Sequence, residues 1–240
     1  SIRNIRREGN EELKKKLKDK LTTEDESENF EKNIQKHLGP QAICDSNDFR
    51  RYRLYNPKVD HILCEHLHML RGIFDAFASP IEHKGGSTRM RMGISGWGQF
   101  VTAAGLMGDD FDEKGAKLAF AWCQMAVSNE VQPRSVFISI SFEDFLEALA
   151  RICDLKALPT VLELRAAGTK NTAHFFNILE EEGTLPDFYE THPTEWNDVK
   201  KRAVADLLPQ LLDIVYYWLE NNNVVLDVRG GDMNSPQQKK

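Results

Sequence analysis

The sequence predicts a mainly α-helical protein built on one helix–loop–strand–helix unit used twice, with C-terminal helices and a charged N-terminal arm. The first observation behind this is an internal duplication. Residues 70–101 reappear without a gap as residues 118–149, so that Leu70, Phe74, Phe77, Met92, Ile94, Trp97 and Val101 fall on Leu118, Trp122, Met125, Ile140, Phe142, Phe145 and Leu149. A fixed spacing marks a supersecondary unit that cannot bury its apolar face alone and needs a second copy to close over it. The second observation is that each copy places helix-spaced apolar residues on both sides of a short strand-like stretch. The third is the contrast with the first 48 residues, which are charge-dense and poor in large apolar side chains.

Taken in order, residues 1–48 carry a basic cluster (Lys14, Lys15, Lys16, Lys18, Lys20) followed by an acidic one (Glu24, Asp25, Glu26, Glu28, Glu31). Leu13, Leu17 and Leu21 recur every four residues and line one face of a helix if one forms. The segment reads either as a solvated tail or as an arm that docks on a partner. Residues 49–160 form the core. Asn56-Pro57 starts its first helix, because Asn is a good N-cap and Pro suits the first helical position. Val59, Ile62, Leu63, Leu70, Ile73, Phe74 and Phe77 give the apolar stripe, and Ser79-Pro80 stops it. Met90 and Met92 alternate with Arg89 and Arg91 as in a strand, and a helix from near Ser95 ends at Gly105 or Gly108. In the second copy Asp110 or Asp112 caps a helix, residues 136–140 are a β-branched run, and Ser141 with Asp144 forms a near capping box.

Residues 161–222 are a helical extension. Helices are expected around residues 161–167 and 172–182, then a loop over 184–194. A long amphipathic helix capped by Thr194 follows, kinked at Pro209 and ended by Asn221 to Asn223. Residues 223–240 read as a disordered tail.

Helix, loop, short strand and helix, repeated, is the order of a paired EF-hand, so the calcium question is decisive. An EF-hand draws oxygens from a 12-residue loop, with glycine at position six and glutamate at position twelve. With Met92 and Ile140 at position eight, position twelve falls on Gly96 and Asp144, position one on Gly85 and Pro133, and position six on Met90 and Ile138. Each loop carries one carboxylate, Glu82 or Glu130, facing Lys84, Arg89 and Arg91 or Arg134. One carboxylate set against local positive charge does not offset the dehydration of a divalent cation. A rival register through Asp110, Asp112, Lys114 and Gly115 puts position twelve on Ala121, inside a helix, and reads better as a helix cap. No calcium is expected at either loop.

Composition narrows the rest. A formal charge of −6 and basic residues without an aromatic-interleaved stripe argue against nucleic-acid binding. Cys44, Cys64, Cys123 and Cys153 lie far apart with no CxxC and read as small buried hydrophobes or free thiols in a reducing compartment. No apolar run approaches bilayer length and no signal region opens the chain, so a cytoplasmic protein with no membrane partner is expected. Ser1 stands where an initiator Met would, consistent with an excised segment or a processed chain.

No nucleophile elbow, phosphate loop or HExxH motif is present, and Gly85-Gly86-Ser87-Thr88 lacks the Lys and helix start of a phosphate cradle. The reading is therefore non-enzymatic and without cofactor. His61, Cys64, Glu65 and His68 share one helical face. They read as a polar stripe, with a helical metal-binding protein or enzyme as the alternative. Arg50, Arg51 and Arg53 with Tyr52 and Tyr55 form a compact cationic and aromatic site that suits an acidic surface, a solvated turn being the other reading. The partner-binding candidates are thus Lys14, Lys15, Lys16, Lys18, Lys20, Arg50, Arg51, Arg53 and Tyr55.

The stretch ISFEDFLEALARICDL (residues 140–155), together with KLAFAWCQMA (residues 117–126), resembles calcium-independent EF-hand-like proteins of ciliated and flagellated protists. In that family a phrase of the form FxxFLEALxRIA closes a calcium-free second hand. The resemblance covers about residues 55–160. It rests on Phe142, Phe145, Leu146, Glu147, Ala148, Leu149 and Arg151, whereas the first copy has Trp97, Gly98 and Gln99 in place of the usual acidic-aromatic pair. It implies a structural role on microtubules or in a ciliary axoneme, with tubulin or axonemal subunits as protein partners and no catalytic residues. A calcium-responsive EF-hand sensor is the alternative function.

Overall fold

The computed structural model describes residues 46–82, 87–124, 139–194 and 202–221. The expectations for the arm before residue 46, the Gly85-Gly86 turn, residues 136–138, the helix around Val199 and the tail fall outside them.

The described chain opens with α1 (Ser46–Phe49), which runs directly into a π-helical turn, Arg50–Leu54. Helix α2 (Pro57–Glu65) begins as its sequence demands: Asn56 is extended, and its side chain accepts a hydrogen bond from the Lys58 N–H at 2.9 Å. The expected single helix is broken at His66, and α3 (Leu67–Phe77) follows. Neither glycine nor proline marks the break. The His66 Nδ1 lies 2.9 Å from the Tyr216 hydroxyl, 150 residues along the chain, so a tertiary contact sets the bend.

Strands β1 (Ser79–Glu82) and β2 (Thr88–Gly93) form an antiparallel hairpin. Ser79-Pro80 therefore both ends a helix and opens a strand; β1 lies at the sheet edge, where a proline is tolerated. Helix α4 (Ile94–Ala103) stops just before Gly105, whose φ of +61° is left-handed and where a Cβ would sit 2.3 Å from the Trp218 ring. Only glycine meets both demands.

Helix α5 (Glu113–Cys123) is capped by Asp112, and β3 (Ser139–Ile140) leads into α6 (Phe142–Leu155) through a complete Ser141/Asp144 capping box. The extension comprises α7 (Val161–Ala166), α8 (Thr172–Glu182), α9 (Leu185–Thr191) and α10 (Val204–Asn221). Helix α9 lies in the stretch expected as loop, with Pro186 in its first turn, where a missing N–H costs nothing. Residues 202 and 203 are not helical, so the long helix expected from Thr194 does not run unbroken; α10 begins at Val204 and carries Pro209 inside.

The duplication is visible in the packing. In the sheet, ordered β1-β2-β3, Met92 pairs with Ile140 and Gly93 with Ser139. Met92 and Ile140 are residues that the 48-residue spacing equates, and the pairing of equivalents in antiparallel strands is the geometry of a local two-fold axis. Trp97 and its equivalent Phe145 also meet, edge to face, with ring centroids 6.3 Å apart. Leu70, Phe74, Met92, Trp97, Val101, Ile140, Phe145 and Leu149 all lie in one core, and Leu118 is buried as well. Ile94 breaks the pattern at 40% exposed, while its equivalent Phe142 is half-buried against Phe74. Helix α10 packs on α6, α8 and α2, adding Leu208, Leu211 and Val215 to the same interior. A smaller cluster of Ala157, Leu164, Phe175 and Phe188 sits under α7–α9.

Candidate interaction site

The π turn is an uncommon conformation, because closing a ring to residue i+5 gives no gain over an ordinary helix, and it persists where tertiary contacts hold it. Its closing bond runs from the Tyr55 N–H to the Arg50 carbonyl at 2.8 Å. Two arginines fix it from inside. Arg50, 7% exposed, donates from Nε to Glu147 Oε2 at 2.7 Å and from Nη2 to the Cys123 carbonyl at 3.2 Å. The other oxygen of Glu147 accepts from Arg151 Nε at 2.8 Å, with Arg151 Nη2 2.7 Å away, and the Phe49 ring covers the Arg151 guanidinium at 4.3 Å. One buried carboxylate thus serves two guanidiniums. Burial lowers the Arg151 pKa and Glu147 pulls it back up. Arg53 bonds Asp154 Oδ1 at 2.5 Å and the Arg202 carbonyl at 2.8 Å.

The outer side of the same turn is different. Arg51 is exposed and lies 5.9 Å over the Tyr52 ring, and Tyr52 and Tyr55 are 72% and 67% exposed. The structure therefore splits the sequence candidates. Arg50 and Arg53 are drawn into the body as anchors, Arg51 and Tyr55 face out with Tyr52, and Lys14, Lys15, Lys16, Lys18 and Lys20 lie outside the described residues.

At the junction of the two units, the positions an EF-hand would use as ligands have other duties. A Cβ on Gly96 would meet the Phe77 carbonyl oxygen at 2.3 Å, so the crossing of α3 and α4 leaves no room for a side chain there. Asp144 Oδ2 accepts from the Ser141 N–H at 2.9 Å and lies 3.9 Å from Arg91 Nη2. Arg91 reaches across from β2, donating to Ser139 Oγ at 2.8 Å and to the Ser139 carbonyl at 2.7 Å. Its pKa is lowered by burial, against the opposing pull of Asp144 and Glu143.

In the rival register, Asp112 Oδ1 caps α5 through the Gly115 N–H at 2.7 Å. Asp110 is bound by Lys156 Nζ at 3.0 and 3.1 Å and by the Ala157 N–H at 2.9 Å. These carboxylates are engaged in holding the chain.

Among the described residues no group of three His, Cys, Asp or Glu side chains is placed to hold a metal ion. On α2, His61 Nε2 lies 3.5 Å from Glu65 Oε1 in an exposed pair, and the break at His66 puts His68 on the next helix. Cys64 is an exposed free thiol, whereas burial pushes the Cys123 and Cys153 thiols well up from their ordinary value. Glu147, Arg151, Asp154 and Arg91 were not singled out as site residues by spacing. The signal available for the first two was an i, i+4 ion pair set within the apolar face of a helix. Comparison of the chain with protein-family models, curated proteins and solved structures gave no match.

Proposed function

We propose that the chain is a non-catalytic interaction module, a calcium-independent EF-hand-like pair that presents fixed surfaces to protein partners in a microtubule-based assembly such as a ciliary axoneme. The observation that carries this is the state of the position-twelve residues. Asp144 is tied to its own helix cap beside the Arg91 guanidinium, and Gly96 is packed against a backbone carbonyl. In sensor EF-hands, cation binding opens an apolar groove. Here the oxygens that would respond have other partners, and the two units are joined through β2–β3, Trp97 and Phe145. The axonemal setting and the tubulin partner rest on the family resemblance of residues 140–155. The lysines at 14–20 suit an acidic tubulin surface.

Co-sedimentation with microtubules tests the reading, using the full chain and a chain lacking residues 1–45, which keeps α1 and its anchors. The full chain is expected to pellet equally with calcium or chelator and to lose most of its binding without the arm. A full chain that stays in the supernatant removes tubulin as the partner; equal binding by the shortened chain removes the arm; calcium-dependent pelleting favours the sensor alternative.

A further inference from the structure

We propose that the outer face of the π turn, Arg51 with Tyr52 and Tyr55, is a docking site for an extended acidic peptide of another protein. This deepens the interaction-module reading and rests on it. The turn is pre-organised: Arg50 and Arg53, on either side of the outward pair, are held by Glu147 and Asp154 and fix the backbone from which Arg51 and Tyr52 project. A surface fixed before binding loses less entropy when it is occupied. Of the Phe, Tyr and Trp side chains in the described residues, Tyr52 and Tyr55 are the most exposed, although nothing in the core requires them there. Tyrosine offers a large, stiff contact area at low entropic cost, with a hydroxyl to donate.

Arg51 makes no ion pair among the described residues, so its fork is available for a carboxylate. The local field favours the same occupant. Among the described residues, Arg50, Arg51, Arg53 and Arg151 gather around the turn with Glu147, Asp154 and the exposed Asp48, an excess of one positive charge in a chain whose formal charge is −6, and Arg51 is the guanidinium that faces outward. Charge complementarity of this kind selects an acidic segment, and the two flanking rings select one extended enough to lie across them.

The test is fluorescence anisotropy of a fluorescein-labelled octaglutamate peptide titrated with the full chain. Arg51→Glu is expected to weaken binding at least about tenfold, and Tyr52→Ala with Tyr55→Ala several-fold. Arg165→Glu, at an exposed position on α7, is expected to change it little, and circular dichroism checks that every variant is folded. Equal weakening by Arg51→Glu and Arg165→Glu would reduce the effect to bulk charge and overturn the proposal, as would unchanged binding in the turn variants. Deleting residues 24–31 distinguishes an internal occupant: a rise in affinity of about tenfold would assign the surface to the chain's own acidic cluster and overturn the external partner. An unaltered chain that pellets with microtubules but does not bind octaglutamate would sink this site and leave the module reading standing; one that binds octaglutamate through Arg51 but does not pellet would keep the site and remove the microtubule setting.

Discussion

The two units of the core carry the same apolar register and opposite polar chemistry. In the first, α3–β2–α4, the loop closes as a hairpin and the helix that follows has no side-chain cap, with Gly96 packed against the Phe77 carbonyl. In the second, α5–β3–α6, the following helix has a full capping box and holds Glu147, Arg151 and Asp154, to which the N-terminal turn is bolted. The shared interior constrains both copies alike, because Met92 must meet Ile140 and Trp97 must meet Phe145. The polar positions face no such symmetry and have specialised, the first unit for a close helix crossing and the second as the anchor for a flanking segment.

Breaking the anchor gives the largest expected effect. Glu147→Ala leaves Arg50 and Arg151 buried without their carboxylate and is expected to cost about 3–5 kcal/mol, measured by urea denaturation. A loss below about 1 kcal/mol would show that the cluster is solvated. Next comes the crossing in the first unit. Gly96→Ala forces a methyl into backbone and is expected to cost about 2–3 kcal/mol, whereas Gly98→Ser, at an exposed position inside the same helix where an added Cβ meets nothing within 4 Å, is expected to be neutral or stabilising by a few tenths of a kcal/mol, roughly the gain in helix propensity over glycine. Smaller again is the cap of the second unit: Ser141→Ala is expected to cost about 1 kcal/mol, with no counterpart at Gly93, where the first unit's helix lacks a side-chain cap.

Thiol reactivity sharpens the contrast without a large energy. Cys64 is expected to react quickly with a thiol reagent in a Cys44→Ser background, and Cys123 and Cys153 only after unfolding. Burial raises both buried thiols, so the folded state retains their protons longer than the unfolded state does. Their contribution is full below the unfolded thiol value of about 8.5 and is lost as pH rises through the higher folded values, so stability is expected to fall on the alkaline side. Denaturation midpoints taken between pH 7 and 10 check the sign.

Much of the fold was legible because it is written in local chemistry. Asn56-Pro57, Ser141 with Asp144, the helix over 172–182 and Gly105 each answer to capping or backbone rules that act within a few residues. The register of the duplication also named the residues that pair in the sheet. What was not legible depends on distant partners. The bend at His66 needs Tyr216, and α9 shows only once Phe188 packs on Phe175 and Phe176. The same cause divided the cationic cluster: nothing within Arg50–Leu54 says that Arg50 turns inward, because Glu147 lies 97 residues away. Arg91 was read as a charge that repels a cation, and its bonds to Ser139 became visible only when the two units were brought together.

The most direct test is calorimetric titration of the full chain with calcium, with magnesium as reference and the melting temperature followed in parallel. Two units coupled through their own side chains should give no binding heat and the same melting temperature in calcium as in chelator. Saturable heat specific to calcium, with a rise of several degrees in melting temperature, would mean that an ion joins what Arg91, Asp144 and the shared apolar interior are here held to join.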